Sequence, residues 1–190
     1  MEHHTKQPKR EECLALLNQF SVPEGVLQHS LKVNEVAVFL GQKLVEKQEL
    51  IDLQVLDRAS LLHDIFKHND SSEIHCARGA ELLAKMGFPD TANAIKKHYT
   101  DFIIKSKFAN WEELLVYYAD KRVDGSLIVS VDERLDRLSS RHPDYSGDIE
   151  KIRANLKKLE AQLFRHLSFR PEQLAEKIKG FTGAQFQYGC

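Results

Sequence analysis

Four histidines and two aspartates are the residues of this sequence whose types and spacing could do chemistry. They are His29, His63, His75 and His98, with Asp64 directly after His63 and Asp120 further on. Helical periodicity places each histidine on the inner stripe of one of four successive helices, and Asp120 on the inner half of a later one. Imidazole and carboxylate groups converging in an apolar interior cost free energy unless something satisfies them. A divalent metal ion does so, because neutral imidazole donates a nitrogen lone pair and carboxylate supplies charge. Adjacent helical side chains point about 100° apart, so His63 and Asp64 can grip an ion lying over the helix surface between them. A His and carboxylate set without thiolate suits iron, manganese, cobalt, nickel or zinc, with magnesium also admissible, and its richness in histidine favours iron or manganese. Cys76 follows His75 and is expected to point about 100° away from it, into packing rather than onto a metal. The other histidines at 3, 4, 142 and 166 fall at the N-terminus, in a polar segment or near a helix end.

The elements that must position these side chains read as helices throughout. Only 9 Gly and 5 Pro interrupt the 190 residues. The first helix spans about 8–20. The second restarts at Val22-Pro23-Glu24, with Pro tolerated in a first turn, and carries Val26, His29, Val33, Val36, Leu40 and Leu44. A third covers 52–66, with Val55, Ala59, Leu62, His63 and Phe66 on its inner face. A fourth starts near Ser72 and ends at Met86-Gly87. Pro89 opens a fifth, with His98 close to Ala94 and Ile95. Asn110 caps a sixth bearing Asp120. Ser130 and Glu133 form a capping box for the next. A long amphipathic helix follows over 148–167, and a short one over 171–179. Leu127-Ile128-Val129 could be a strand but lacks an evident partner. The seam from Ile149 to Leu167 covers the same chain's core or, failing that, a homodimer contact. The expectation is one all-α domain over 1–190, a bundle of about eight or nine helices. Its motif-bearing core is 22–125, the helices of 130–180 pack on it, and 181–190 is a tail.

With 27 Lys+Arg against 28 Asp+Glu, the net charge is −1. That balance gives little long-range attraction for phosphate backbones, so no nucleic-acid partner is expected. An apolar content of 42% excludes disorder of the whole chain. Three scattered cysteines make no disulfide framework and fit a reducing compartment. No run approaches the roughly 18 apolar residues of a membrane span. The charged start Met-Glu-His-His-Thr-Lys is no secretory signal. A cytoplasmic protein acting on a small molecule, or pairing with a second copy of itself, is the expectation.

The ordered set of blocks resembles the HD-domain metal-dependent phosphohydrolases. The chain offers VLQHSLKVNEVA around His29, LLHDIFK at 61–67, HCARGAELLAKMGF at 75–88, AIKKHYT at 94–100 and YYADKRVD at 117–124. This resemblance covers about residues 22–125. It implies that His29, His63, Asp64 and Asp120 bind one divalent metal. In a two-metal subgroup Asp64 would bridge, and His75 and His98 would hold the second ion. It further implies hydrolysis of a nucleotide or small phosphate ester by a metal-activated hydroxide attacking phosphorus, with Asp64 and Lys67 catalytic. Lys67, which keeps the place of a family lysine, would contact substrate phosphate, with Arg122 a second clamp and His68 and Lys121 weaker contacts. The pattern is similar to small bacterial hydrolases of diadenosine tetraphosphate and to HD-GYP cyclic-dinucleotide phosphodiesterases, although the GYP extension is absent. One departure is Phe66, where a common variant has glycine; a bulkier side chain there would narrow the pocket. Two other functions share such a ligand set: a di-iron oxygenase on the same fold, and a nucleotide-sensing module without turnover.

Overall fold

The computed structural model of the chain describes residues 6–69, 74–141 and 148–181. Among them are ten α-helices and one two-stranded hairpin. In order these are α1 (Arg10–Gln19), α2 (Glu24–Val45), α3 (Leu53–Leu62), α4 (Ile74–Lys85), α5 (Pro89–Ile95), α6 (Phe102–Lys105), α7 (Trp111–Lys121), β1 (Val123–Asp124), β2 (Leu127–Ile128), α8 (Val131–Arg141), α9 (Ile149–Phe164) and α10 (Leu174–Lys177). A 3-10 turn over Pro171–Gln173 leads into α10. The all-α architecture expected from the sequence is what the chain adopts. The expected start of α4 near Ser72 and the tail beyond Phe181 lie outside the described residues, as do His3, His4 and His142.

The longest helix organises the core. α2 buries Val33, Val36, Ala37, Leu40 and Leu44 and packs on α3 and α7. Its approach to α3 is close at Gly41, where an added Cβ would lie 2.5 Å from Leu56 Cδ2 and 3.0 Å from Leu53 Cδ2. Any larger residue there would make the Leu56 and Leu53 side chains shift. α3 begins at Asp52, whose carboxylate accepts from the backbone N–H of Gln54 and Val55 at 2.9 and 3.0 Å. Asn110 caps α7 in the same way, accepting from Glu113 N at 2.9 Å. The capping box at Ser130 and Glu133 forms as expected and starts α8.

Several elements differ from the expectation, among them the short helix α6, which the sequence reading did not contain. Residues 127–128 do find a strand partner, Val123–Asp124, in the register Val123↔Ile128 and Asp124↔Leu127. A two-residue loop with a left-handed residue makes this hairpin, and Gly125 supplies φ +59°. α3 stops at Leu62 instead of continuing to Phe66, and residues 63–69 form turns. α5 stops at Ile95, so His98 sits in the following loop. The seam of α9 is buried against its own chain: Ile149, Ile152, Leu156, Leu159 and Leu163 join the core, and α9 packs on α6 and α8. No helix among the described residues is long and apolar enough to cross a membrane.

Candidate metal centre

The early ends of α3 and α5 set the chemistry of two histidines. The last carbonyls of a helix lack intrahelical partners, and in both places a histidine three residues on supplies one. His63 Nδ1 lies 2.8 Å from the carbonyl oxygen of Ser60. His98 Nδ1 lies 2.6 Å from that of Ile95. A carbonyl only accepts, so each Nδ1 carries the hydrogen and each Nε2 presents a lone pair. On α2, His29 is held likewise, its Nδ1 3.2 Å from Gly125 O in the hairpin loop.

These Nε2 atoms converge on two carboxylates. Asp64 divides its oxygens between two groups. Oδ1 stands 3.1 Å from His98 Nε2 and 3.2 Å from His75 Nε2. Oδ2 stands 3.6 Å from His63 Nε2 and 3.9 Å from His29 Nε2. Asp120 completes the second group, with Oδ1 3.0 Å from His29 Nε2 and 3.8 Å from His63 Nε2. The ligand atoms of His29, His63, Asp64 and Asp120 all lie within 4.8 Å of one another. The structure thus brings together all six residues singled out from the sequence.

Burial pushes the His63 imidazole down to about 4 and lowers His98 against the pull of Asp64. Both are therefore neutral near pH 7. For Asp64, burial opposes ionisation, but the surrounding His63, His75 and His98, with Lys67 at the edge, outweigh it and hold the carboxyl well below its usual range. For Asp120 burial is likewise outweighed, by Lys121 and His29. Ionised carboxylates thus face the neutral lone pairs of His63 and His98, a repulsive arrangement that a cation relieves; His29 differs, since burial opposes its protonation but the hydrogen bond to Asp120 outweighs that and raises its pKa. His63 Nε2 is the clearest sign. It is buried with no hydrogen-bond partner among the described residues and is aimed at both aspartates. A donor set of imidazole nitrogen and carboxylate oxygen around such an orphan fits a divalent metal ion.

The remaining candidates fall in different places. Lys67 stands at the edge of the cluster, its ammonium 3.9 Å from Asp64 Oδ1 and its side chain 39% exposed. His68 is exposed on the same turn and belongs to neither ligand group. Lys121 is buried; it pairs with Asp120 and donates to His98 O at 3.0 Å, so it ties the last aspartate to the His98 loop. Arg122 is not at the cluster. Its guanidinium donates to Val129 O at 2.7 Å, to Glu160 and Pro171 O at 3.1 Å, and to the Tyr118 hydroxyl. Those acceptors hold it away from a phosphate-clamping position. Phe66 packs into the core edge-on to Phe20, with the Arg78 guanidinium 4.8 Å above its ring, so its bulk goes into packing. Cys76 does not point away from the histidines. Its sulfur lies 3.4 Å from His75 Nε2 and 3.5 Å from His98 Nε2.

Sequence reasoning missed the groups that hold these side chains still. Asn34 donates to Asp57 Oδ1 and Ser60 Oγ, both at 2.9 Å, and so fixes the turn of α3 whose carbonyl orients His63. Arg10 reaches the same Asp57 from α1. The His98 loop is anchored on α7 by Lys97 to Glu113 at 3.1 Å and by Tyr117 Oη to Thr100 O at 2.7 Å. The available signal was polar residues on apolar stripes: Asn34, Asp57 and Ser60 all fall on buried helix faces.

The pattern of the HD domain matches residues 26–138, more than half of the chain. The chain belongs to the HD-domain family. That places it in a superfamily of metal-dependent phosphohydrolases, and the matched span contains all six converging residues. Among curated proteins, an uncharacterized protein of Methanocaldococcus jannaschii is 27% identical over 150 residues, covering 70% of this chain and 88% of that protein. A tRNA (cytidine(56)-2'-O)-methyltransferase of Thermoplasma volcanium is 25% identical over 68% of this chain and 40% of its own length. Ribonuclease Y of Enterococcus faecalis is 39% identical over 103 residues, which are 52% of this chain and 19% of that enzyme. The HD-domain chain thus spans most of the first relative and less than half of the other two. No solved structure matches it.

Proposed function

We propose that this HD-domain protein is a phosphohydrolase with two divalent metal ions, acting on a nucleotide or another small phosphate ester. The observation that carries the reading is the division of Asp64, one oxygen toward His75 and His98 and the other toward His29 and His63. A carboxylate so placed suits a bridge between two ions. Ions bound there would supply Lewis acidity toward a phosphoryl oxygen and a water of lowered pKa. The chain's own residues supply the rest. The carbonyls of Ser60 and Ile95 keep the His63 and His98 lone pairs turned inward. Lys121 fixes the rotation of the Asp120 carboxylate. Lys67, on the open side, offers a point charge for a phosphate oxygen. Iron or manganese suits the His29, His63, Asp64 and Asp120 group.

The likeness to a ribonuclease makes short RNA a necessary member of any substrate panel. The test is elemental analysis of protein purified without chelator, then phosphate or nucleotide release from nucleotides, dinucleoside polyphosphates, phosphomonoesters and short RNA. Two metal ions per chain and turnover of a small ester are expected. Asp64→Ala should lose both ions and lower turnover by about a thousandfold or more, since it removes the shared ligand. Full activity in that variant would end the proposal.

A further inference from the structure

The half of the centre built by His75 and His98 contains a donor that the sequence pattern assigned to packing. Cys76 is completely buried, and its Sγ joins the two Nε2 atoms in one group whose ligand atoms lie within 4.8 Å of one another. The contacts in this half are His75 Nε2 to His98 Nε2 at 3.0 Å, Sγ to these nitrogens at 3.4 and 3.5 Å, and Asp64 Oδ1 to them at 3.2 and 3.1 Å. A tetrahedral ion with bonds of about 2.05 Å to nitrogen and about 2.3 Å to sulfur has N···N edges of about 3.3 Å and N···S edges of about 3.6 Å. The observed separations are close to those edges, and the sulfur is the atom that turns a three-donor arrangement into a four-donor one.

We propose that Cys76 is a thiolate ligand of the ion held by His75 and His98, making that half a His, His, Cys and Asp64 site. The proposal rests on the metal-centre reading above and goes beyond it. On metal binding the S–H proton leaves to solvent and the sulfur lone pair forms the metal bond, so one added negative charge offsets part of the ion's charge. No oxidant or reductant is needed. The two ions then differ in kind. His29, His63, Asp64 and Asp120 offer only nitrogen and oxygen, while the thiolate biases its half toward zinc or cobalt and away from manganese and magnesium. The competing account is a thiol donating a weak hydrogen bond to the His98 lone pair, which needs no metal at all.

Cobalt distinguishes the two. Metal-free protein and Cys76→Ser are titrated with Co2+ and followed optically, with the cysteines at 13 and 190 unchanged in both. The expected result is a near-ultraviolet thiolate-to-cobalt charge-transfer band in the wild type that Cys76→Ser lacks, while both retain visible d–d bands. The variant's preference for zinc over manganese should also fall by about tenfold or more. Two equivalents of bound cobalt without that band would overturn the thiolate assignment and leave the dinuclear centre standing. Absence of cobalt binding altogether would remove the metal centre itself. X-ray absorption of the zinc-loaded wild type needs no variant: a sulfur shell near about 2.3 Å is expected, and a purely nitrogen and oxygen shell would refute the ligand.

Discussion

A neutral imidazole whose Nδ1 hydrogen already belongs to a carbonyl has one chemical option left at Nε2, and His63 and His98 both stand in that position. Lys67 is different in kind. It is partly exposed and 3.9 Å from Asp64 Oδ1, so its charge is available to an incoming anion without contributing a metal bond. Lys67→Ala is therefore expected to lower kcat/KM by about 10–100-fold, or about 1.4–2.7 kcal/mol of transition-state stabilisation. Metal content should not change, and Lys67→Arg should recover part of the loss. Steady-state kinetics paired with elemental analysis checks this. A loss of metal together with activity would show that Lys67 acts by holding Asp64 and not by holding phosphate.

At the scale of elements, the hairpin matters because Gly125 O orients His29 while the neighbouring Asp124 ties the hairpin to α8. Arg141, Arg137 and Arg134 all reach the Asp124 carboxylate, at 2.9, 2.7 and 3.3 Å. The Arg141 hydrogen bond is the largest cause that brings its pKa down from 3.8 to about 2, against the opposing effect of burial. A depressed carboxylate stabilises the fold above the unfolded-state pKa and loses that contribution as pH falls through the folded-state value. Asp124→Asn should thus destabilise by about 1–2 kcal/mol at pH 7, discounting for the exposed ends of Arg137 and Arg141. The difference from wild type should shrink between about pH 4 and pH 2. Urea midpoints across that range decide it; a pH-independent difference would mean that Asp124 acts through shape alone. The hairpin also shows what a single sequence leaves unread. Leu127-Ile128 has strand character, but its partner Val123–Asp124 overlaps the end of a helical pattern. The six converging residues were readable because they set polar groups that must be satisfied on or beside apolar stripes. Cys76 was not, because the angle between neighbouring Cα–Cβ directions says nothing of how far an imidazole reaches back over its neighbour.

The whole molecule poses the question of why helices beyond the matched span of 26–138 are present. Arg122 links them to the centre. It follows the Asp120-Lys121 pair on the exit from α7 and reaches Glu160 on α9 and Pro171 O before α10. Its backbone meanwhile accepts from Val129 N at 2.8 Å. One buried guanidinium therefore joins the aspartate-bearing helix, the hairpin and the C-terminal helices. A partner 38 residues away in sequence is invisible to any local pattern, which is why the same residue reads as a phosphate clamp from its motif alone. The two roles predict opposite phenotypes. As a structural link, Arg122→Ala leaves the Glu160 carboxylate with the Tyr118 hydroxyl but without its cation, and two carbonyls without their donor, and should cost about 3–5 kcal/mol of stability. Protein that remains folded and metal-loaded at low temperature should keep kcat/KM within about twofold, since no substrate contact has been removed. Urea unfolding and kinetics on the same preparation separate the cases. A fall of about a hundredfold in kcat/KM at an unchanged unfolding midpoint would mean that the guanidinium reaches substrate after all.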